Sequence, residues 1–154
     1  MQTIAPLDSK SVAALYDTDL YAWANTNADL LRQGKYDQID VAHLIEEIED
    51  MGKNDQRSLA SHLRNLLMHL LKWQFQADIR SQSWQSPVIN ARLEIDQLLQ
   101  DSPSLRVRLP QLLVTEHSAA RRLASVETQL PIKIFPIECS YSLRQVLDQD
   151  WLPQ

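Results

Sequence analysis

The stretch LASHLRNLLMHLLKWQF, residues 59–75, constrains the fold more than any other. Leu59, Leu63, Leu66, Leu70 and Trp73 recur at alternating steps of four and three, the seam of a bundle helix. Met68 and Phe75 fall on the opposite side, with Leu67 and Leu71 between. A helix that is apolar on most of its circumference must be covered on most sides. This one is therefore expected at the centre of a bundle.

The remaining chain supplies neighbours of the same kind. Leu20, Trp23, Ala24, Leu30 and Leu31 repeat at helical steps after Asp17 and Thr18, two capping residue types, and before Gly34, a C-terminal cap. Asn27 is the one polar residue in phase with them and is read as a satisfied amide. Asp40 can cap a second helix, with Ile39 and Leu44 as its hydrophobic staple. Val41, Leu44, Ile45, Ile48 and Met51 form its apolar face, and Gly52, Asn54 and Asp55 suggest a break before the central helix. Ser86-Pro87 and Ser102-Pro103 have the order of a helix opening. The first predicts a helix on Val88, Ala91, Ile95, Leu98 and Leu99. The second predicts a longer one to about Thr128, kinked or restarted at Pro110. LPIKIFPIECSY has strand-like residues but no partner run, and Pro136 cannot donate to a ladder, so it reads as an extended strap near 130–140. Ser142 and Gln145 match a capping box opening a short last helix that ends near Trp151.

The expectation is an all-α, single-domain bundle over 1–154, of about five main helices plus a short C-terminal one. With only two glycines, a turn-rich β fold or a glycine-rich phosphate loop is disfavoured. A hydrophobic fraction of 44% over 154 residues is enough for a real core. The net charge of −5 argues against a nucleic-acid partner. The first fifteen residues lack a basic run before an apolar core, so no secretory signal is expected. The longest apolar run, residues 66–71, is interrupted by His69 and is far short of the roughly 18 residues of a membrane span. Cys139 is the only cysteine, which leaves no internal disulfide and makes a cytoplasmic location the expectation.

HLIEEIEDMG, residues 43–52, is dense in acids. On a helix advancing about 100° per residue, Glu46 and Asp50 fall opposite the apolar face, and Glu47 and Glu49 on its two borders. The carboxylates do not converge. Glu47, with His43 one turn before it, is the one that keeps a possible chemical role. His62 and His69 lie two turns apart, about 10 Å, too far to share a zinc ion, so no metal and no cofactor is expected. His69 and Trp73 lie on one border of the central seam, and Glu116 in phase with Leu105, Leu109, Leu112, Leu113 and Leu123. A carboxylate among leucines must be paired, protonated or at the water's edge. Arg80 and Trp84 share the loop DIRSQSW, where an arginine can clamp a helix end or grip an anion. Cys139 reads as a packed residue.

LYDTDLYAWANTNADLLRQGKYDQID, LIEEIEDMG, LRNLLMHLLKW, RSQSW, DSPSLR and FPIECSYSLRQVLDQDWLP occur in this order from Leu15 to Pro153. Together they resemble family 29 of the bacterial domains of unknown function. The resemblance implies an essentially all-helical fold and carries no activity, substrate or catalytic residue with it. Two departures bear on turn geometry. The family often has Glu-Thr-Gly where this chain has Glu127-Thr128-Gln129, and Cys-Pro-Tyr where it has Cys139-Ser140-Tyr141.

Two readings of function follow. No catalytic motif is present, which favours a helical interaction or regulatory module, with a second copy or another protein as partner. The alternative is a small enzyme or anionic-ligand binder with a polar site between helices, built on Glu47, His69, Trp73, Arg80 and Glu116.

Overall fold

The computed structural model describes residues 8–154. The reading of the N-terminus as lacking a signal falls partly on residues 1–7, outside the described residues. The fold is all-α, and the described residues contain no strand. The helices are α1 (Ser9–Thr18), α2 (Leu20–Arg32), α3 (Val41–Phe75), α4 (Gln85–Asp101), α5 (Leu109–Thr128) and the short α6 (Leu143–Leu147). The described residues include no helix long and apolar enough to cross a membrane. The chain divides into two compact units, Met1–Lys53 and Asn54–Gln154.

In the first unit α1 was not expected. Its signal was present: Asp8 accepts from the Ser11 amide at 2.8 Å, and Val12, Leu15 and Tyr16 recur on one face. The cap of α2 is Asp19, accepting from the Ala22 amide, and not Asp17 or Thr18, which belong to α1. The buried face of α2 is Trp23, Asn27 and Leu30, and Leu20 and Leu31 turn outward. Gly34, at φ +71°, ends α2 as expected. The Gly34 amide donates to Leu31 and the Lys35 amide to Leu30, the paired bonds of a left-handed helix stop. Asn27 is a satisfied amide: it donates to the Trp23 carbonyl and accepts from the Asp40 amide, each at 2.9 Å.

The predicted break at Gly52 does not occur, and α3 runs without interruption through it. Glycine inside a helix costs only about 1 kcal/mol against alanine, which the flanking turns absorb. A second correction concerns the face. Leu44 packs against the Val12–Trp23–Leu30 cluster, while Val41, Ile45, Ile48 and Met51 are exposed. This end of the helix rests on its His43–Leu44–Glu47 edge, rotated from the stripe that hydropathy alone selects.

In the second unit the later part of α3 is central, as expected. Leu59, Leu63, Leu66, Leu67, Leu70 and Leu71 have no solvent exposure. Val88, Ala91, Ile95 and Leu99 of α4 and Leu109, Ala120 and Ala124 of α5 complete the core with them. Ser86 does not cap α4, which begins a residue earlier. The Ser102 hydroxyl turns instead to Asp55, at 2.8 Å. Pro103 opens a 3-10 turn, Pro103–Arg108, and α5 starts afresh with Pro110 in its first turn. The strap runs without regular extended pairing apart from a turn at Ile132–Ile134. Arg121 holds it by donating to the Phe135 and Ile132 carbonyls, and Phe135 is buried edge-on to Phe75.

The capping box at Ser142 and Gln145 forms with both of its bonds. Yet α6 stops at Leu147, short of Trp151, because another donor takes its carbonyls. Arg92, 1% exposed on α4, donates to Val146 at 2.9 Å, Trp151 at 2.8 Å, and Gln145 and Gln149 at 3.4 Å. Burial pulls its guanidinium below the usual arginine range, and the charges of Asp148 and Asp150 oppose this. Charge-assisted bonds of this type are each worth about 1.5–3 kcal/mol, and unpaired buried carbonyls are costly. Arg92→Met therefore lowers the unfolding free energy by roughly 3 kcal/mol or more in urea titrations followed by tryptophan fluorescence. A loss below about 1 kcal/mol would show that the clamp is not needed.

Candidate functional site

The polar residues of the first unit converge on Asp40. It precedes α3, and its carbonyl accepts the first helical bond, from Leu44. Its buried carboxylate accepts from the Trp23 indole at 2.9 Å and contacts His43 Nδ1 at 2.5 Å. Burial pushes the Asp40 carboxyl up, but the bonds from His43 and Trp23 outweigh it and leave it below the usual carboxylate range. The same contact raises His43 above the usual histidine range. The His43 ring stacks on Tyr16, centroids 4.0 Å apart, and Tyr16 meets Trp23 edge-on at 5.0 Å. The Tyr16 hydroxyl donates to Glu47 Oε1 at 2.6 Å, which pushes its own pKa up to about 12. This is a closed chain from Trp23 through Asp40, His43 and Tyr16 to Glu47. Each of these groups already has a partner, so the cluster locks α1, α2 and the start of α3 together.

Glu47 thus has Tyr16 as its partner. The other candidate residues, His69, Trp73, Arg80 and Glu116, belong to the second unit. Trp73 and Arg80 are brought together, with the guanidinium 5.1 Å from the ring centroid. Arg80 Nε donates to the Trp73 carbonyl at 2.7 Å, closing the end of α3 as a clamp. Glu116 pairs with Arg64 at 3.6 Å. His69 is half-buried; burial lowers its pKa, helped by Lys72 and opposed by Glu127. Lys72 lies over Trp84 and 3.6 Å from Glu127. Among the described residues no group of three or more His, Cys, Asp or Glu could hold a metal ion.

Two buried groups escaped the sequence reading. Arg92 reaches carbonyls more than fifty residues away along the chain, a distance over which no local pattern signals. His117, 2% exposed on α5, has an Nε2 with no hydrogen-bond partner. Burial holds its imidazole below the usual histidine range and the Arg121 charge adds to this, while a hydrogen bond from the ring to the Ile137 backbone carbonyl pulls the other way. Cys139 is nearby in the strap. Partial burial pushes its thiol pKa up, and the thiol donates to the Tyr141 carbonyl at 3.5 Å. That is the state of a packed residue.

The family model described as "Domain of unknown function DUF29" matches residues 15–152. The chain belongs to this family. No curated protein and no solved structure matches it. Gln129 caps α5 at φ 58°, in the left-handed region. A side chain there costs about 1–2 kcal/mol, and glycine avoids that cost.

Two outcomes are expected. Gln129→Gly stabilises the second unit by about 1 kcal/mol in urea unfolding, and no gain would mean that the turn carries no strain. The Asp40–His43 pair gives a pH dependence. The raised His43 contributes stability below its ordinary value of 6.5 and loses it as pH rises through the raised one. The lowered Asp40 contributes above 3.8 and loses it on acidification. The difference in melting temperature between wild type and His43→Gln is therefore largest between those two values and shrinks on both sides. A difference that is flat from pH 3 to 9 contradicts this.

Proposed function

We propose that this chain is a helical interaction module. Its docking surface is the exposed side of α3 in the first unit, and its partner a basic amphipathic helix of another protein. The reading rests on one observation. Val41, Ile45 and Ile48 stand on a single helical stripe and are 52%, 52% and 67% exposed. Gly52 continues the stripe, and a Cβ there would meet nothing within 4 Å. Contiguous apolar surface of this kind marks interaction sites on soluble proteins. A groove of about 420 Å³, lined by Lys10, Ala13, Tyr36, Ile39 and Val41 among others, adjoins it at Val41.

Charge selects the partner. Between residues 41 and 53 the chain has Glu46, Glu47, Glu49 and Asp50 against one lysine, Lys53. Lys53 is already engaged by Asp50 at 3.0 Å and Glu49 at 3.6 Å. A second copy would set this acidic rim against its own like, whereas lysines or arginines beside an apolar stripe complement it. A reducing cytoplasm, where Cys139 stays a free thiol, fits such a role.

The test uses a fluorescent synthetic leucine–lysine amphipathic helix and a leucine–glutamate counterpart, with binding read by anisotropy. The lysine peptide binds with a dissociation constant on the order of micromolar, and the glutamate peptide does not. Ile45→Ser/Ile48→Ser, at sites already exposed, keeps the fold and weakens binding at least tenfold. Equal binding by this variant overturns the proposal. So does a dimer in light scattering that the same variant dissolves, because the stripe would then be occupied by a second copy.

A further inference from the structure

A different observation, in the second unit, concerns the space beside His117. A cavity of about 410 Å³ lies between α5 and the strap. It is lined by Leu113, Val114 and His117 on one side and Ile137, Glu138 and Cys139 on the other. Its walls are mostly apolar. A cavity of this size exceeds the roughly 150 Å³ of an engineered apolar site that takes up benzene.

His117 is the buried polar group in its wall. A fully buried nitrogen without a partner costs about 1–3 kcal/mol, and an aliphatic side chain of similar volume would avoid that cost. In the neutral tautomer protonated on Nδ1, the imidazole offers Nε2 as an acceptor. The acceptor is shielded from bulk water. A donor reaches it only from a molecule that occupies the cavity and displaces the Ile137–Glu138–Cys139 wall slightly. Arg121, whose charge acts on His117, already donates to the carbonyls of Phe135 and Ile132, and Glu138 adds a carboxylate at the rim. Both features disfavour an anion.

We infer that the cavity between α5 and the strap binds a small neutral aromatic molecule of one or two rings, whose single hydroxyl or N–H donates to His117 Nε2. The rings lie against Leu113, Val114 and Ile137. This function is separate from the docking surface of the first unit and does not depend on it.

Indole is the probe, and 1-methylindole, which keeps the rings and lacks the donor, is its control. Titration calorimetry on the full chain gives a dissociation constant for indole on the order of 0.1–1 mM, as suits a ligand of this size. 1-Methylindole binds at least tenfold more weakly. Nitrogen NMR of the wild-type protein shows the His117 Nε2 resonance shifting on addition of indole and not of 1-methylindole. This readout needs no variant. Val114→Trp, at an exposed position in the cavity wall, abolishes indole binding and leaves His117 in place. His117→Leu removes the preference for indole over its methylated form. Absence of binding up to the solubility limit overturns the inference. So does equal affinity for the two probes, or binding that Val114→Trp leaves unchanged.

Discussion

A helix that is apolar on most of its circumference has to be enclosed on most sides, and the second unit is organised by that constraint. From Leu59 to Leu71 the leucines of α3 are sealed from solvent, with α4, α5, α6 and the strap supplying the cover. The same helix, earlier in its course, obeys a different rule. Between Val41 and Met51 it is amphipathic, and it packs in the first unit by an edge carrying His43, Leu44 and Glu47. The choice of edge follows from the polar lock. Asp40 must sit where it can receive Trp23 and His43, and Glu47 where it can receive Tyr16. Satisfying those buried groups fixes the rotation of the helix, and the apolar stripe is left facing out. Leaving a buried carboxylate unpaired costs more than exposing three aliphatic side chains, so the lock decides.

The buried polar groups follow one pattern with one exception. Asn27, Asp40, Arg92 and Thr128 are each tied to the backbone or to a defined side chain. Each also ends or aligns something: Asn27 ties Asp40 to α2, Asp40 begins α3, Arg92 stops α6, and Thr128 donates to Ala124 just before the left-handed turn at Gln129. His117 does no such task through its Nε2. Stability alone therefore accounts for four of these side chains and leaves the fifth unexplained.

The helical class, the central position of residues 59–75, the Gly34 stop, the Asn27 amide and the capping box at Ser142 were legible in the sequence, because each depends on residues within one or two turns. What failed or was left open had competing partners. Ser102 could cap or bond Asp55, and only the tertiary fold brings Asp55 within reach. Gly52 could break a helix or be carried through it, and the turns on both sides decided. Arg80 could clamp or bind an anion, and two of its nitrogens lie near carbonyls at the end of α3. The pairing of Glu116 with Arg64 was allowed by the sequence as a class, although the particular arginine was not.

Glu116 and His117 are separated within α5 itself. Counted at about 100° per residue, the sealed positions Leu109, His117, Ala120, Ala124 and Thr128 lie within an arc of about 100°. Glu116 and Leu123 fall just outside one edge of that arc, so Leu123 is turned out and Glu116 goes to the rim with Arg64. The chemistry of the face changes with the phase. A carboxylate among leucines would suggest proton transfer or a cation. A neutral imidazole, shielded and facing a mostly apolar cavity, has one lone pair to offer and so selects for a donor on an otherwise apolar molecule. The rotation of α5 about its own axis therefore decides which side chain lines this cavity and which class of ligand could complete it.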